Sequence, residues 1–432
     1  MMRLLYSLAW WLALPLVLTR LWWRGRKEPG YRQHLAERLG FYAHPRHADQ
    51  RIIWLHAVSV GETRAAEPLV QALLHDYPEH TILLTHMTPT GRATGQALFV
   101  RYGPRVTQAY LPYDTGWMVG RFLRHFAPRV CLLMETEVWP NVMAQCRRYG
   151  VPVALVNARL SERSLAKAQR LSGLMREAAR AMTYVAAQTE ADAVRLRSLG
   201  APDVQVTGSI KFDVAPAEQA LHKGEILRRQ IGTRTVLLCA STREGEEALI
   251  LDALSALPAE RLAGALVVIV PRHPQRFGDV ASLIEARGLS MRRRSDLGDA
   301  SLENGIQVLL GDSMGEMFAY YAACDLAFIG GSLLPLGGQN LIEACAVGKP
   351  VLIGPHTFNF NAVSEDAIAA GAALRIQDAA GMLREATRLL HAEHERLAMG
   401  GKALAFAQQH RGATARTMAM LRTLLTAGWS AQ

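Results

Sequence analysis

Two segments of this chain carry carboxylates where proton transfer could be done, and four more carry groups suited to holding an anion. Glu62 closes the stretch His56-Ala57-Val58-Ser59-Val60-Gly61 directly after an apolar run, so that Gly61-Glu62 opens the next helix. The helix dipole at that place favours an ionised carboxylate, which suits a general base that must accept a proton at neutral pH. The same glutamate would equally serve to complement the helix end. Glu135-Thr136-Glu137 puts two acids on alternate positions leaving another apolar run, where they could hold a divalent metal or orient a sugar. Pro271-Arg272 ends a further run, and an arginine there can make paired hydrogen bonds to a phosphate. Met314-Gly315-Glu316 begins a helix and offers backbone N–H groups to a base or phosphate, while Lys211 lies at the join of the two halves, where a cation could meet groups from both domains.

The stretch Asp325–Thr357 organises this set. Leu326–Ile329 is a short apolar run that stops at Gly330-Gly331-Ser332; Asn340–Val347 reads as a helix, and Pro350–Ile353 as the next strand. Such a turn lets N–H groups approach a phosphate at a helix N-terminus. Asn340-Leu341-Ile342-Glu343 sets a carboxylate one turn into that helix, placed either to accept hydrogen bonds from a ribose or to close a capping box with Asn340.

These segments must be positioned by a scaffold, and its pattern is regular. From Arg51 onward, apolar runs of four to six residues alternate with helical stretches: Ile52–His56, Thr81–Leu84, Val106–Tyr110, Val130–Met134, Val153–Val156 and Tyr184–Ala187, then Val236–Cys239, Leu266–Val270, Val308–Leu310, Leu326–Ile329 and Val351–Ile353. Continuous apolar strands alternating with helices predict parallel sheets covered on both faces, and two such series predict two doubly wound domains. In sheets of that kind ligands bind beyond the carboxyl ends of the strands, where the residues above stand. The domains are expected at 28–210 and 211–400, joined near Val206–Pro216, with a helical tail at 401–432 interrupted at Gly400-Gly401 and Gly412.

Ahead of them, Leu4–Trp23 is almost wholly apolar and is followed by Arg24, Arg26 and Lys27, so residues 1–27 read as a membrane anchor with the rest of the chain cytoplasmic. Pro15 and Arg20 keep open the alternative of a helix lying in the interface. The chain has 432 residues, half of them hydrophobic, and 48 basic against 38 acidic side chains give +10. Arg24, Arg26, Lys27, Arg32, Arg38, Arg46 and Arg51 crowd just past the apolar segment, which suits an anionic membrane surface or a phosphorylated substrate. No helix-turn-helix, zinc or aromatic RNA-binding pattern accompanies the charge, which argues against nucleic acid. Cys131, Cys146, Cys239, Cys324 and Cys345 are odd in number and scattered, as reduced core cysteines are, and no Cys/His group has metal-ligand spacing.

Several segments together resemble a known family. Ser59-Val60-Gly61-Glu62, Met87-Thr88-Pro89-Thr90-Gly91, Leu111-Pro112-Tyr113-Asp114, Glu135 to Asn141, Asn157-Ala158-Arg159-Leu160-Ser161, Gly208 to Asp213, Pro271 to Pro274, Gly311 to Glu316 and Gly330-Gly331-Ser332 are similar to the motifs of 3-deoxy-D-manno-octulosonic acid (Kdo) transferases of lipopolysaccharide synthesis. The match runs in order from the N-terminal anchor to about Phe360. The resemblance implies an α/β GT-B fold of two Rossmann-like domains with a cleft, and inverting transfer of Kdo from CMP-Kdo to a lipid A precursor (lipid IVA) at the inner membrane of a Gram-negative bacterium, with no metal or other cofactor. It implies Glu62 as proton acceptor, Glu135 and Lys211 as stabilisers of the transition state, and Pro271, Arg272, Met314, Gly315, Glu316, Asn340, Leu341, Ile342 and Glu343 as CMP-binding. Leu341 stands where a proline is common and Arg243 where a histidine is common. The competing readings are another enzyme acting on a nucleotide sugar, such as a lipid A disaccharide synthase or an epimerase, and a membrane-tethered nucleotide-binding protein without catalysis.

Overall fold

The computed structural model describes residues 2–26, 28–43, 51–170, 172–213, 216–258 and 264–427, so Lys27 and Arg46 of the basic flank lie outside the described residues. The chain forms two compact units: 1–213 with 411–432, and 214–410.

The first unit is built on β1 (Arg51–His56), β2 (His80–His86), β3 (Val106–Tyr110), β4 (Val130–Met134), β5 (Val153–Ala158), β6 (Tyr184–Ala187) and β7 (Val204–Val206), ordered 3-2-1-4-5-6-7 and paired in parallel throughout. Alternate residues of β1 enter two different cores. Ile52 and Trp54 face one, with Phe122 and Met143; Ile53 and Leu55 face the other, with Leu69 and Leu73. Burial on both faces is the reason these strands read as unbroken apolar runs. The order reverses between β1 and β4, so the loops after these strands, carrying Glu62 and Glu135, flank the topological switch point.

The second unit repeats the plan with β8 (Thr235–Thr242), β9 (Ala265–Pro271), β10 (Met291–Arg293), β11 (Val308–Leu310), β12 (Leu326–Ile329), β13 (Val351–Ile353) and β14 (Ala373–Arg375), in the order 10-11-9-8-12-13-14. Its switch point lies between β8 and β12. The strands β10 and β14 went unforeseen. Both are edge strands only three residues long, and Met-Arg-Arg and Ala-Leu-Arg carry no apolar run because an edge need not be buried on both sides.

The division falls at Asp213 and not at 210, which leaves Lys211 wholly in the first unit. The tail also differs from expectation. Gly400-Gly401 do not interrupt the helix Glu393–His410, which stays with the second unit. Gly400 is there for close packing, since a Cβ would meet the Gly348 carbonyl oxygen at 2.5 Å. Gly412, at φ +86, does break the chain. The last helix, Ala413–Ala427, then returns to the first unit, burying Met418, Leu421 and Leu425 in the core shared with Ile53 and Leu55.

Candidate functional site

Ser59 is the N-cap of the helix Val60–Ala65, its hydroxyl accepting from the Glu62 N–H. The Glu62 carboxylate folds back over the same turn: Oε2 accepts from the Val58 N–H at 2.8 Å and Oε1 from the Ser59 hydroxyl at 2.9 Å. The helix-end role left open by the sequence is therefore realised, in a reciprocal cap of the kind worth about 1 kcal/mol. The loop is braced from β2, where Thr88 donates to the Val58 carbonyl at 3.0 Å and the His86 ring bonds the Ala57 carbonyl at 2.9 Å. The electrostatics correct the sequence expectation. Glu62 is not held more acidic by its place at the helix start; burial pushes its carboxyl above the ordinary range, the Val58 and Ser59 donors pull it back, the Glu135 charge raises it, and the Lys211 charge lowers it.

Glu135 leaves β4 at φ +54, a left-handed conformation unusual for a residue with a side chain. Such positions recur where a fold holds a functional group against local preference. Lys211 Nζ stands 2.8 Å from Glu135 Oε1 and Arg159 Nε 3.6 Å from Oε2. The lysine contact is one of charge without hydrogen-bond alignment, so Oε1 keeps unused acceptor capacity. Glu137 is pushed up to about 7, by burial first and then by the Glu62 charge, against the pull of the Trp139 indole N–H at 3.0 Å. Glu135 is thus held in an ion-pair network with Lys211 and Arg159, while Glu137 accepts from the Trp139 indole. Among the described residues no group of three His, Cys, Asp or Glu side chains is placed to hold a metal ion.

Lys211 sits on the single turn Ile210–Phe212, which is pinned from both sides. The Ile210 N–H donates to Asn157 Oδ1 at 3.0 Å, Asn157 itself being at φ +53, and Asp213 accepts from the Gly412 N–H at 2.6 Å and from the Thr414 N–H. The terminal helix therefore locks the turn that carries the lysine. The fold brings Glu62, Glu135 and Lys211 together: Lys211 pairs with Glu135, and the charges of both act on Glu62. The positioning roles of Asn157, Thr88 and Asp213 were missed, although all three lie inside the quoted motifs.

In the second unit the glycine turn behaves differently from expectation. Gly330 is required because a Cβ would meet the Ser241 carbonyl oxygen at 2.6 Å. Yet the N–H groups expected to face a phosphate are taken internally: Gly331 donates to Glu246 Oε2 at 2.6 Å and Leu333 to Glu246 Oε1 at 2.9 Å, with Arg243 N–H on Oε2 at 2.9 Å. Glu246, fully buried, fills the place an anion would take. The cationic groups cluster instead after β8 and β9. Burial and then Arg243, Arg272 and Arg276 hold the His273 ring below its ordinary value, which reports the positive field there.

Pro271 ends β9 and Arg272 follows it, while Met314, Gly315 and Glu316 follow its neighbour β11, with Met314 exposed and Gly315 at φ +77. Burial alone would raise Glu316; the Ser313 hydroxyl at 2.8 Å, Lys223 at 3.2 Å and Arg294 at 3.6 Å outweigh it and hold this carboxyl below the ordinary range. Asn340, Leu341, Ile342 and Glu343 follow β12, but the helix there is only Ile342–Ala346. Asn340 Oδ1 accepts from the Ile342 N–H at 3.0 Å, Glu343 Oε1 lies 3.4 Å from Asn340 Nδ2, and Leu341 is fully buried.

Residues 33–214 match the family model described as 3-deoxy-D-manno-octulosonic-acid transferase (kdotransferase). A 3-deoxy-D-manno-octulosonic acid transferase of Bordetella pertussis is 51% identical over 378 residues, covering 86% of this chain and 87% of that protein. Another, from Haemophilus influenzae, is 36% identical over 429 residues, 98% of this chain and 99% of that one. Among solved structures, the UDP-GlcNAc 2-epimerase of Neisseria meningitidis bound to UDP-GlcNAc aligns with a TM-score of 0.58 at 16% identity, over 87% of this chain and all of that one. At that identity the likeness is one of fold, two Rossmann-like domains of the GT-B class.

Proposed function

Because the chain belongs to the 3-deoxy-D-manno-octulosonic acid transferase family, glycosyltransferases of lipopolysaccharide biosynthesis, we propose that it moves Kdo from CMP-Kdo to a lipid A precursor, lipid IVA, with inversion at the anomeric carbon. The observation that carries the reading is Glu62: a carboxylate at the switch point of the first sheet, held by two local donors and made more basic by burial. It takes the proton of a primary hydroxyl of the acceptor; the oxygen forms its bond to the anomeric carbon as the bond from that carbon to the CMP phosphate oxygen breaks. Lys211, beside Glu135, supplies positive charge to the developing transition state, and this reading requires no metal or other cofactor.

Arg272 and its cationic neighbours take the phosphate of CMP, with Pro271, Met314, Gly315 and Glu316 around the nucleotide and Asn340 to Glu343 at the ribose. Donors aimed at charge that grows in a transition state are worth about 3–4 kcal/mol each. The apolar N-terminal helix and its basic flank attach the chain to the inner membrane with both units on the cytoplasmic side, where the acceptor's sugars emerge. Incubation of the purified protein with CMP-Kdo and tetra-acylated lipid A precursor should release CMP and add the mass of Kdo to the lipid. Turnover of a uridine nucleotide sugar in its place, with none of CMP-Kdo, would refute the donor assignment.

A further inference from the structure

The helix Met2–Arg24 is long and apolar enough to cross a bilayer, at about 34 Å for its length against a hydrocarbon core of about 30 Å. It is nevertheless docked on the first unit along one face from end to end. Near its start, Arg3 Nη1 pairs with Glu177 Oε1 at 2.8 Å, Tyr6 hydrogen-bonds Asp114, and the Ser7 hydroxyl and Asn141 amide bond one another at 3.1–3.2 Å. Further along, the Trp10 ring lies 5.7 Å from that of Tyr113, and Leu14 is buried with Tyr113 and Met118. Leu21 is buried near the other end. Positions 3, 7, 10, 14 and 21 fall on one stripe of a helix.

Asp114 and Asn141 lie in two of the motifs yet have no part in the proposed chemistry, and in the structure they receive the helix. The Asp114 carboxylate also accepts from the N–H groups of Asn141 and Val142, so the receptor for Tyr6 and Ser7 is a built feature of the fold. A helix that crossed the bilayer would carry Arg3, Tyr6 and Ser7 through to the far side, away from these partners.

The opposite face exposes Leu5, Leu8, Leu12, Leu16 and Trp23. Two exposed rings from elsewhere in the unit extend this apolar surface: Trp117 lies 6.5 Å from Trp11 and 5.9 Å from Phe41. Arg121 stacks on both Phe41 and Trp117, at 4.2 and 5.0 Å, and Arg20, Arg24 and Arg26 are exposed around the helix end. An apolar face rimmed by rings and arginines matches acyl chains beneath anionic headgroups.

We propose that this helix does not span the membrane but lies in its cytoplasmic interface, one face fixed to the first unit by Asp114 and Asn141 and the other in the acyl layer of an anionic phospholipid bilayer, with Phe41 and Trp117 inserted beside it. This placement rests on the membrane attachment proposed above, and it holds the acceptor-side carboxylates at a fixed distance from the lipid surface.

The test uses the full chain with one cysteine added before Met1, since the five native cysteines are buried. An impermeant maleimide is applied to sealed inside-out inner-membrane vesicles and to right-side-out spheroplasts. A flat helix gives labelling in the inside-out vesicles and none in spheroplasts; the reverse pattern overturns the proposal while leaving membrane attachment intact. Absence of the chain from the membrane fraction refutes the attachment itself. On vesicles containing anionic phospholipid, the double variant Phe41→Ala/Trp117→Ala should bind roughly threefold or more weakly, and unchanged binding removes these rings from the interface. A concentration-dependent dimer that buries the exposed helix face without binding vesicles would assign the face to a second copy and overturn the proposal.

Discussion

Each unit has a glutamate just past the first strand of its sheet, at the switch point, and the two glutamates do different things. Glu62 follows β1 and Glu246 follows β8. Glu246 is fully buried and its two oxygens accept from three backbone N–H groups, two of them from the glycine turn after β12. Its acceptor capacity is committed to joining two loops. Glu62 has one backbone donor and one hydroxyl, remains partly exposed, and has further carboxylates for neighbours. Residue type and topological place are shared; the number of N–H groups aimed at the carboxylate, and the access left to it, decide whether it locks a fold or handles a proton.

The sharpest way to break that contrast is to replace the two residues in turn. Glu62→Gln keeps an acceptor for the Val58 N–H but cannot take a proton, so transfer should fall by roughly a thousandfold while CMP binding is unchanged; turnover near the parent rate would end the base assignment. Glu246→Ala leaves three backbone donors without their acceptor, two of them buried. At about 1–3 kcal/mol for each buried donor, the second unit should lose about 3 kcal/mol or more and melt roughly 6–12 °C lower. If the melting temperature holds, Glu246 is not the lock, and the glycine turn is free to meet a phosphate after all.

A smaller effect is expected at Glu343. The cap of the helix Ile342–Ala346 is made by Asn340 Oδ1 on the Ile342 N–H, so helix-end duty falls mainly on the asparagine. Glu343→Ala should therefore weaken CMP binding about tenfold, as the loss of hydrogen bonds to a charged group would, with little change in melting temperature. Calorimetric titration with CMP, set beside a thermal melt, separates the two; a lower melt with unchanged affinity returns Glu343 to the cap.

The parts of this molecule legible in its sequence are those whose physics is local. Interior strands such as β1 and β4 announce themselves because burial on both faces demands unbroken apolar runs, whereas β10 and β14, as edges, make no such demand. Glu62, Glu135 and Lys211 were singled out by resemblance, but their proximity is visible only in the fold. The partner of a buried donor was not legible either, since Gly331 and Glu246 are 85 residues apart and only the folded sheet brings them to 2.6 Å. For the same reason Gly330-Gly331-Ser332 reads as a phosphate loop in one dimension and as an internal clasp in three. The direction of the Glu62 shift was also out of reach, because the burial that raises it is set by the folded surroundings and not by the local sequence.

The finest probe of the first unit is its pH dependence, through Glu137. Its carboxyl is pushed from an ordinary 4.5 up to about 7, by burial first and then by the Glu62 charge. The folded protein thus holds a proton that the unfolded chain releases, and the stability this contributes is complete below about pH 4.5 and lost as pH rises through 7. The Glu62 charge is the second cause of this shift, so Glu137 does not titrate independently of its neighbour. Glu137→Gln removes the charge. The fall in stability between pH 5 and 7, read as the pH dependence of the melting temperature, should then become shallower. A slope that does not change would mean that Glu137 holds no such proton in the folded protein, and that the carboxylates which set the first unit apart from Glu246 are not crowded enough to feel one another.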